Sequence, residues 1–205
     1  MRTDLPAAPD FEALQAPKGD AALRQTQILS LIGNLGLSWS NTESVFVYVL
    51  MLLLRTDEIT AAIVFTTLNT SRARLDLIRR LASVKLADPA TAQTLERLIR
   101  RFNAATKVRN DLTHAMSVVN AHGEITHTNT MRIVEHGGRL SFGAQRAMDD
   151  ARVRELTDVN RQLARLNRDL WQFLPVLAAS LDAPAPEAPV PDVPADPPQG
   201  SASQP

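Results

Sequence analysis

The apolar residues between Ile28 and Leu53 recur every three or four positions. They are Ile28, Ile32, Leu35, Trp39, Phe46, Val49 and Leu53, and only Thr42 interrupts the series. Residues spaced in this way lie on one face of an α-helix, and such a helix must bury its apolar face against other elements. The pattern therefore predicts a long helix that belongs to a helical bundle.

The spacing keeps its phase through Gly33 and Gly36, which favours one continuous helix. The alternative is a break near Gly36, with Ser40-Asn41-Thr42-Glu43 acting as a capping box that starts a second helix. The most apolar run, Val45–Leu54, has about half of the roughly 20 residues that a membrane-spanning helix needs. We expect it to be buried within the protein and not to contact a membrane.

Further helix starts are indicated by residues that cap helices well. Thr56-Asp57-Glu58 predicts a short helix through Leu68, and Asn69-Thr70-Ser71 predicts another from Arg72 to Leu86. Asp88-Pro89 is a stronger signal, because Asp suits the cap and Pro suits the first turn. It predicts a long helix from Pro89 to about Met116. Asp149 is expected to cap a last helix, whose apolar stripe is Leu156, Val159, Leu163, Leu166, Leu170 and Phe173.

The segment 124–142 has a different composition from the helical segments. It contains the β-branched residues Ile125, Thr126, Thr128, Thr130, Ile133 and Val134. Gly137-Gly138 can form the tight reversal that leads into Arg139-Leu140-Ser141-Phe142. This pattern predicts a β-hairpin inserted into a helical protein.

The two ends of the chain are poor in residues that can build a core. Eight of the 13 prolines lie between Pro184 and Pro205, which predicts a disordered tail over residues 182–205. Residues 1–20 are expected to form a flexible arm, and they lack the apolar stretch of a secretory signal, so a cytoplasmic location is expected. The folded domain, 21–181, is predicted to be all-α: a compact bundle of four to five helices with one inserted β-hairpin. The absence of cysteine excludes disulfides and thiol chemistry.

The chain is neutral overall, with 22 basic and 22 acidic residues, but one region carries a local excess of positive charge. Between Arg72 and Arg109 there are ten basic residues and three acidic ones. A basic surface on two neighbouring helices is the electrostatic feature expected for a polyanion partner, although solvated helix faces often look the same. The residues that we expect to contact a nucleic acid are Arg72, Arg74, Arg100, Arg101 and Lys107.

The end of the fourth predicted helix reads Lys107-Val108-Arg109-Asn110-Asp111-Leu112-Thr113-His114. At 100° per residue, Arg109 projects within the apolar arc that Phe102, Ala105, Val108, Leu112 and Met116 define. An unpaired buried charge is costly, so Arg109 must meet a carboxylate, an opposing subunit or a bound anion. Asn110 and His114 border the same arc, and the three side chains can converge. The alternative is a structural salt bridge from Arg109 to Asp76 or Asp111, with His114 an ordinary polar residue at a helix end.

This arrangement resembles the HEPN family, whose mark is an Arg, a polar residue and, after four to six intervening positions, a His on a late helix of a compact bundle. Arg109, Asn110 and His114 match it with four intervening residues. The resemblance implies a homodimer that brings two copies of the motif into one cleft and, in active members, a metal-independent endoribonuclease. The chain departs from the family pattern in the 124–142 hairpin and in Asp111, an acid within the motif.

The chemistry that the resemblance implies suits these three side chains. An imidazole has an ordinary pKa of about 6.5, so His114 could accept the proton of a ribose 2′-hydroxyl at neutral pH. Arg109 would hold the phosphate bidentately, and Asn110 would orient either His114 or Arg109. The substrate would be RNA, because DNA lacks the attacking hydroxyl.

Two other classes of function compete with RNA cleavage. A metal site built from His114, His122, His127 and His136 is disfavoured, because the spacings do not put two ligands on adjacent turns of a helix. We therefore expect no metal and no cofactor. The stronger alternative is a catalytically inactive HEPN-like dimer that serves as a scaffold or binds a partner. The resemblance also makes a toxin or anti-phage role conceivable, with an antitoxin-type protein partner.

Overall fold

The computed structural model describes residue 12 and residues 19–120, 123–130 and 133–183. Most of the predicted N-terminal arm and C-terminal tail lies outside these residues. Within them, the predicted helical bundle with a β insertion is confirmed. The elements are α1 (Asp20–Leu54), α2 (Glu58–Thr67), α3 (Ser71–Lys85), α4 (Pro89–Thr113), β1 (Ala115–Val119), β2 (Ile125–Thr130), β3 (Ile133–His136), β4 (Arg139–Phe142), β5 (Gln145–Ala147) and α5 (Asp150–Asp182).

Helix α1 is continuous and forms the centre of the bundle. It passes through Gly33 and Gly36 without a break, as the phase of the apolar spacing predicted. It contacts each of the other four described helices. By length and composition, α1 is the one described helix that could also cross a membrane. Its contacts with α2 to α5 are those of a core helix in a bundle.

The predicted helix starts are confirmed by side-chain caps. Asp57 accepts a hydrogen bond from the backbone of Thr60, at 2.9 Å. Asp88 accepts from the backbones of Ala90 and Thr91, at 3.1 and 3.0 Å. Thr70 and Asp149 cap α3 and α5 in the same way. Each cap satisfies a backbone N–H that has no partner within its own helix, and so fixes where the helix begins.

The predicted end of the fourth helix at about Met116 is wrong. Helix α4 ends at Thr113, and the chain enters β1 at Ala115. Ala115 and Met116 pair with Thr130 and Asn129 of β2, so pairing with a strand distant in sequence replaces the helical hydrogen bonds. Met116 is 55% exposed and does not belong to the buried stripe.

The prediction of one hairpin over 124–142 is correct for its turn but wrong for its pairing. Strands β3 and β4 are antiparallel and reverse at Gly137-Gly138, where both residues have positive φ. Strand β2, however, pairs with β1 on one side and β5 on the other, in a three-stranded antiparallel sheet. The motif at the end of α4 therefore leads directly into a sheet.

We expect Gly143→Ala to destabilise the protein. Gly143 has a φ of 78°, and a Cβ there would lie 2.6 Å from the carbonyl oxygen of Thr130. Since neither the backbone conformation nor the space suits alanine, urea unfolding should show a loss of about 1–3 kcal/mol. The control is Gly36→Ala, which has open space around the Cβ position and lies within α1. It should stabilise the protein by about 0.5–1 kcal/mol, and equal effects of the two variants would contradict this interpretation.

The ion pairs at the start of α5 predict a loss of stability in acid. Burial favours a higher pKa for Glu155, but Arg152 and Arg146 outweigh it and hold the pKa below its ordinary value of 4.5. A lowered folded-state pKa stabilises the fold above the unfolded-state pKa, and this stability is lost as the pH falls through the folded-state value. Glu155 bonds the 4% exposed Arg152 at 2.6 Å.

Glu155→Gln removes this charge while keeping the size of the side chain. At neutral pH it should cost about 1–2 kcal/mol, since solvent screens part of the interaction at a carboxylate that is 37% exposed. The variant should also lose less stability than the wild type between neutral pH and about pH 4, measured by urea unfolding. Equal acid sensitivity of the two proteins would show that Glu155 is not responsible.

Candidate active site

The floor of the candidate site is an aromatic cluster between α1 and α4. Trp39 of α1 stacks on Phe102 of α4, with ring centroids 5.5 Å apart and an interplanar angle of 24°. Phe46, about two helical turns further along α1, meets Phe102 edge-on at 5.3 Å. Phe46 and Phe102 are fully buried, and Trp39 is 7% exposed. This cluster fixes α1 against the part of α4 that leads into the motif.

Arg109 lies over this floor. Its guanidinium carbon is 4.5 Å from the centroid of the Trp39 ring, within the range of a cation–π interaction. The Nη1 group of Arg109 donates a hydrogen bond to Oδ1 of Asn110 at 3.0 Å. The sequence allowed Asn110 to orient either His114 or Arg109, and in the structure it is bonded to Arg109.

No carboxylate among the described residues pairs with Arg109. Asp76, one partner that the sequence suggested, instead contacts Arg72 and Arg79. Asp111 is half-buried within the motif and forms no described ion pair with Arg109. Arginine carries five N–H donors, and Asn110 takes one of them. The half-buried guanidinium therefore has an aromatic face and one amide oxygen for partners, and the described structure supplies no counter-charge.

His114 stands at the point where α4 ends. Its φ and ψ are −107° and 21°, and its backbone N–H donates to the carbonyl of Asn110 at 3.2 Å. The imidazole is exposed, and no described group bonds to it. His114 therefore directly follows the last turn of the helix that carries Arg109 and Asn110, and its backbone is bonded to that of Asn110. The motif presents an accessible imidazole at the end of the helix that holds the guanidinium.

The basic residues expected to bind a nucleic acid do not form one free surface. Arg74 is used within the fold: it pairs with Glu43 at 3.0 Å and donates to the carbonyls of Phe65 and Leu68. Arg101 pairs with Asp169 of α5 at 2.6 Å. The carboxylates of Glu43 and Asp169 come from other helices, so the positive excess counted along α3 and α4 is partly neutralised in three dimensions.

Three of the expected contact residues remain at the surface. Arg72 and Arg100 lie 3.9 and 4.0 Å from Asp76 and Glu96, and their side chains are 92% and 67% exposed. Exposed pairs of this kind are weak, about 0–1 kcal/mol, and both guanidinium groups stay accessible to an anion. Lys107, two positions before Arg109, is exposed and has no described ion-pair partner. Positive charge is thus available next to the motif.

Trp39 is the site residue that the sequence analysis did not identify. Its place in the apolar stripe correctly predicted burial, but the options considered for Arg109 did not include an aromatic face. One signal was present: Trp39 is one of two tryptophans in the chain, and it lies on the predicted buried stripe of α1. Aromatic rings are common partners of arginine in partly buried positions.

The site differs from a metal centre in its composition. No group of three or more His, Asp or Glu side chains in the described part of the chain could hold a metal ion. His122 lies outside the described residues, and His127 bonds to Thr126 on β2. The candidate active site thus consists of Trp39, Arg109, Asn110 and His114.

Comparisons with protein-family models, curated proteins and solved structures find no match for this chain.

Proposed function

We propose that this protein is a HEPN-like, metal-independent endoribonuclease that acts as a homodimer through Arg109, Asn110 and His114. The observation that carries the proposal is the state of Arg109. Its guanidinium is half-buried and held by Trp39 and Asn110, and it has no described carboxylate partner. A charge in this position is best satisfied by an anion, and a phosphodiester matches the planar donor fork of arginine.

The proposed reaction begins at the ribose next to the bound phosphate. His114 accepts the proton of the 2′-hydroxyl, and the 2′-oxygen forms a bond to phosphorus. The bond from phosphorus to the 5′-oxygen breaks, and that oxygen takes a proton and leaves as a 5′-hydroxyl. Arg109 stabilises the negative charge on the phosphoryl oxygens during the transfer. The products are a 2′,3′-cyclic phosphate and a 5′-hydroxyl end, and no metal takes part.

A homodimer completes this chemistry. One step removes a proton and the other supplies one, so two imidazoles serve it better than one. The exposed position of His114 allows a second copy to bring its own motif near. Helix α1 also carries Leu29 and Leu37, which are 52% and 62% exposed and eight residues apart, a little over two helical turns. Exposed apolar side chains in such positions are suited to contact another protein surface.

We expect RNA to bind along the basic side chains that are not used in strong ion pairs within the fold. Lys107, Arg72 and Arg100 are the expected residues that remain available, whereas Arg74 is used within the fold. Their contribution should be to affinity and not to sequence preference, because they would meet phosphates. Raising the salt concentration should therefore weaken RNA binding.

The experiment is cleavage of a mixed-sequence RNA by the purified protein in excess EDTA, with product ends identified by mass spectrometry. We expect 2′,3′-cyclic phosphate and 5′-hydroxyl ends. The matched control is the same oligonucleotide with 2′-O-methyl groups, which should stay intact because its attacking hydroxyl is blocked. A requirement for divalent ions, or cleavage of the methylated strand, would contradict the proposal.

A second candidate function is a catalytically inactive dimeric scaffold or partner-binding protein. The exposed apolar residues of α1 and α2 favour it, with Ile59 and Ile63 of α2 73% and 61% exposed. The two functions differ in one outcome: a protein that dimerises but leaves RNA intact in EDTA, and also with magnesium, is the scaffold. A cytoplasmic location, a toxin or anti-phage role and an antitoxin-type partner belong to the enzymatic proposal.

A further inference from the structure

Trp39 lies directly beneath the charged group of the proposed site. We infer that Trp39 is a positioning residue: its indole holds the Arg109 guanidinium in the orientation that receives a phosphodiester. The inference rests on the proposed function of Arg109. It adds a residue from α1, 70 positions away in the chain, to a motif that otherwise lies entirely at the end of α4.

The indole is itself fixed by two contacts from α4. Its Nε1 donates a hydrogen bond to Oγ1 of Thr106 at 2.8 Å, and Thr106 donates to the carbonyl of Phe102 at 2.9 Å. The ring also stacks on Phe102. A buried indole with its N–H bonded and its ring stacked has little freedom to rotate. It therefore offers Arg109 a fixed surface.

That surface restrains the guanidinium without using its N–H donors. A cation–π contact involves the face of the ring, so the donors at the edge of the guanidinium stay free. Asn110 takes one donor at 3.0 Å and sets the rotation of the group. The remaining donors meet no acceptor among the described residues. A phosphate approaching the edge of the guanidinium could accept two parallel hydrogen bonds.

Arg74 provides a built-in contrast. Its guanidinium carbon lies 4.8 Å from the centroid of the Phe65 ring, so it makes a similar cation–π contact. Its Nε, however, donates to two backbone carbonyls, and its Nη1 pairs with the Glu43 carboxylate. Arg74 is therefore a structural residue, whereas Arg109 makes a similar ring contact without a described carboxylate partner. Phe65→Leu is accordingly the matched control for changes at Trp39.

The first test measures binding of a 2′-O-methyl RNA, which carries phosphates but cannot be cut by the proposed reaction. Trp39→Leu should weaken binding about threefold to thirtyfold, the range expected for a lost cation–π contact. Trp39→Phe keeps an aromatic face and should recover most of this loss. Phe65→Leu should bind like the wild type. Circular dichroism establishes that each variant is folded.

The second test uses the fluorescence of Trp39 itself. Trp171→Phe changes a half-exposed residue and leaves Trp39 as the sole tryptophan of the chain. Addition of the 2′-O-methyl RNA should change the emission of Trp39 in a saturable way. Arg109→Gln in the same background should abolish the change, which would show that the emission of Trp39 reports RNA bound at Arg109.

The outcomes separate this inference from the proposed function. If folded Trp39→Leu binds and cleaves RNA like the wild type, the positioning role is overturned while the enzymatic proposal stands. If the wild type cuts no RNA but its binding depends on Trp39 and Arg109 as described, the enzymatic proposal fails and the positioning role stands. If the wild type neither binds the methylated RNA nor shows a change in Trp39 emission, both are overturned.

Discussion

Replacement of His114 by alanine should reduce the rate of RNA cleavage by about a hundredfold to ten-thousandfold, the range attributed to a positioned general base or acid. The imidazole is exposed and bonds to no described side chain, so its removal should leave the fold intact. Binding of RNA should change little, because Arg109 and Lys107 remain. The measurement is kcat and KM on one RNA substrate, and the effect should fall on kcat.

The control for this variant is His127→Ala. His127 lies on β2 and bonds to Thr126 at 2.9 Å, outside the motif. The loss of its imidazole should leave the cleavage rate within about twofold of the wild type, since a surface substitution away from a site has small effects. If both histidine variants cleave RNA at the wild-type rate, His114 is not the general base.

Phe102→Ala should produce the largest loss of stability among the variants considered. Phe102 is fully buried and contacts both Trp39 and Phe46, so its removal leaves a cavity where α1 and α4 meet. Truncation of a buried phenylalanine costs about 3–5 kcal/mol. The free energy of unfolding in urea should fall by that amount. Phe102→Leu fills more of the cavity and should cost clearly less.

Substitutions at Phe102 should also disturb the candidate active site. Without the Phe102 ring, the Trp39 indole loses its stacking partner and can tilt, which loosens the surface under Arg109. Folded Phe102→Leu should therefore bind 2′-O-methyl RNA more weakly than Ile99→Val, a core change on α4 at another fully buried residue. Equal binding by these two variants would show that the aromatic floor does not support the site.

Local signals in the sequence predicted most of the helical framework. Asp57, Asp88 and Asp149 cap helices through bonds to backbone groups two or three residues away, so their effect can be read from adjacent residues. The continuous phase of the apolar spacing likewise predicted one helix through Gly36. These features depend on neighbours along the chain and not on the rest of the fold.

The errors arose where distant residues decide the structure. Met116 continues the apolar spacing of α4, but its backbone pairs with Asn129 of β2, and the helix ends three residues earlier, at Thr113. The positive charge of Arg74 and Arg101 is balanced by Glu43 and Asp169, which lie 31 and 68 positions away. A count of charges along one segment does not include such partners.

The candidate site contains one feature that local sequence predicts and one that depends on distant residues. The helical position of Arg109 predicted that its side chain would be partly buried, and this is confirmed. Its partner was not predictable in the same way, because Trp39 reaches it only through the packing of α1 on α4. The role of the motif in RNA cleavage remains a proposal that rests on its chemistry.

The most direct test of the central claim compares Arg109→Ala with Arg101→Ala in RNA cleavage at one salt concentration. Both variants remove one guanidinium from α4, but Arg101 pairs with Asp169, whereas Arg109 has no described counter-charge. We expect Arg109→Ala to lower kcat/KM by about a hundredfold or more and Arg101→Ala to lower it by less than about fivefold. Equal losses in both variants, or full activity without Arg109, would contradict the account.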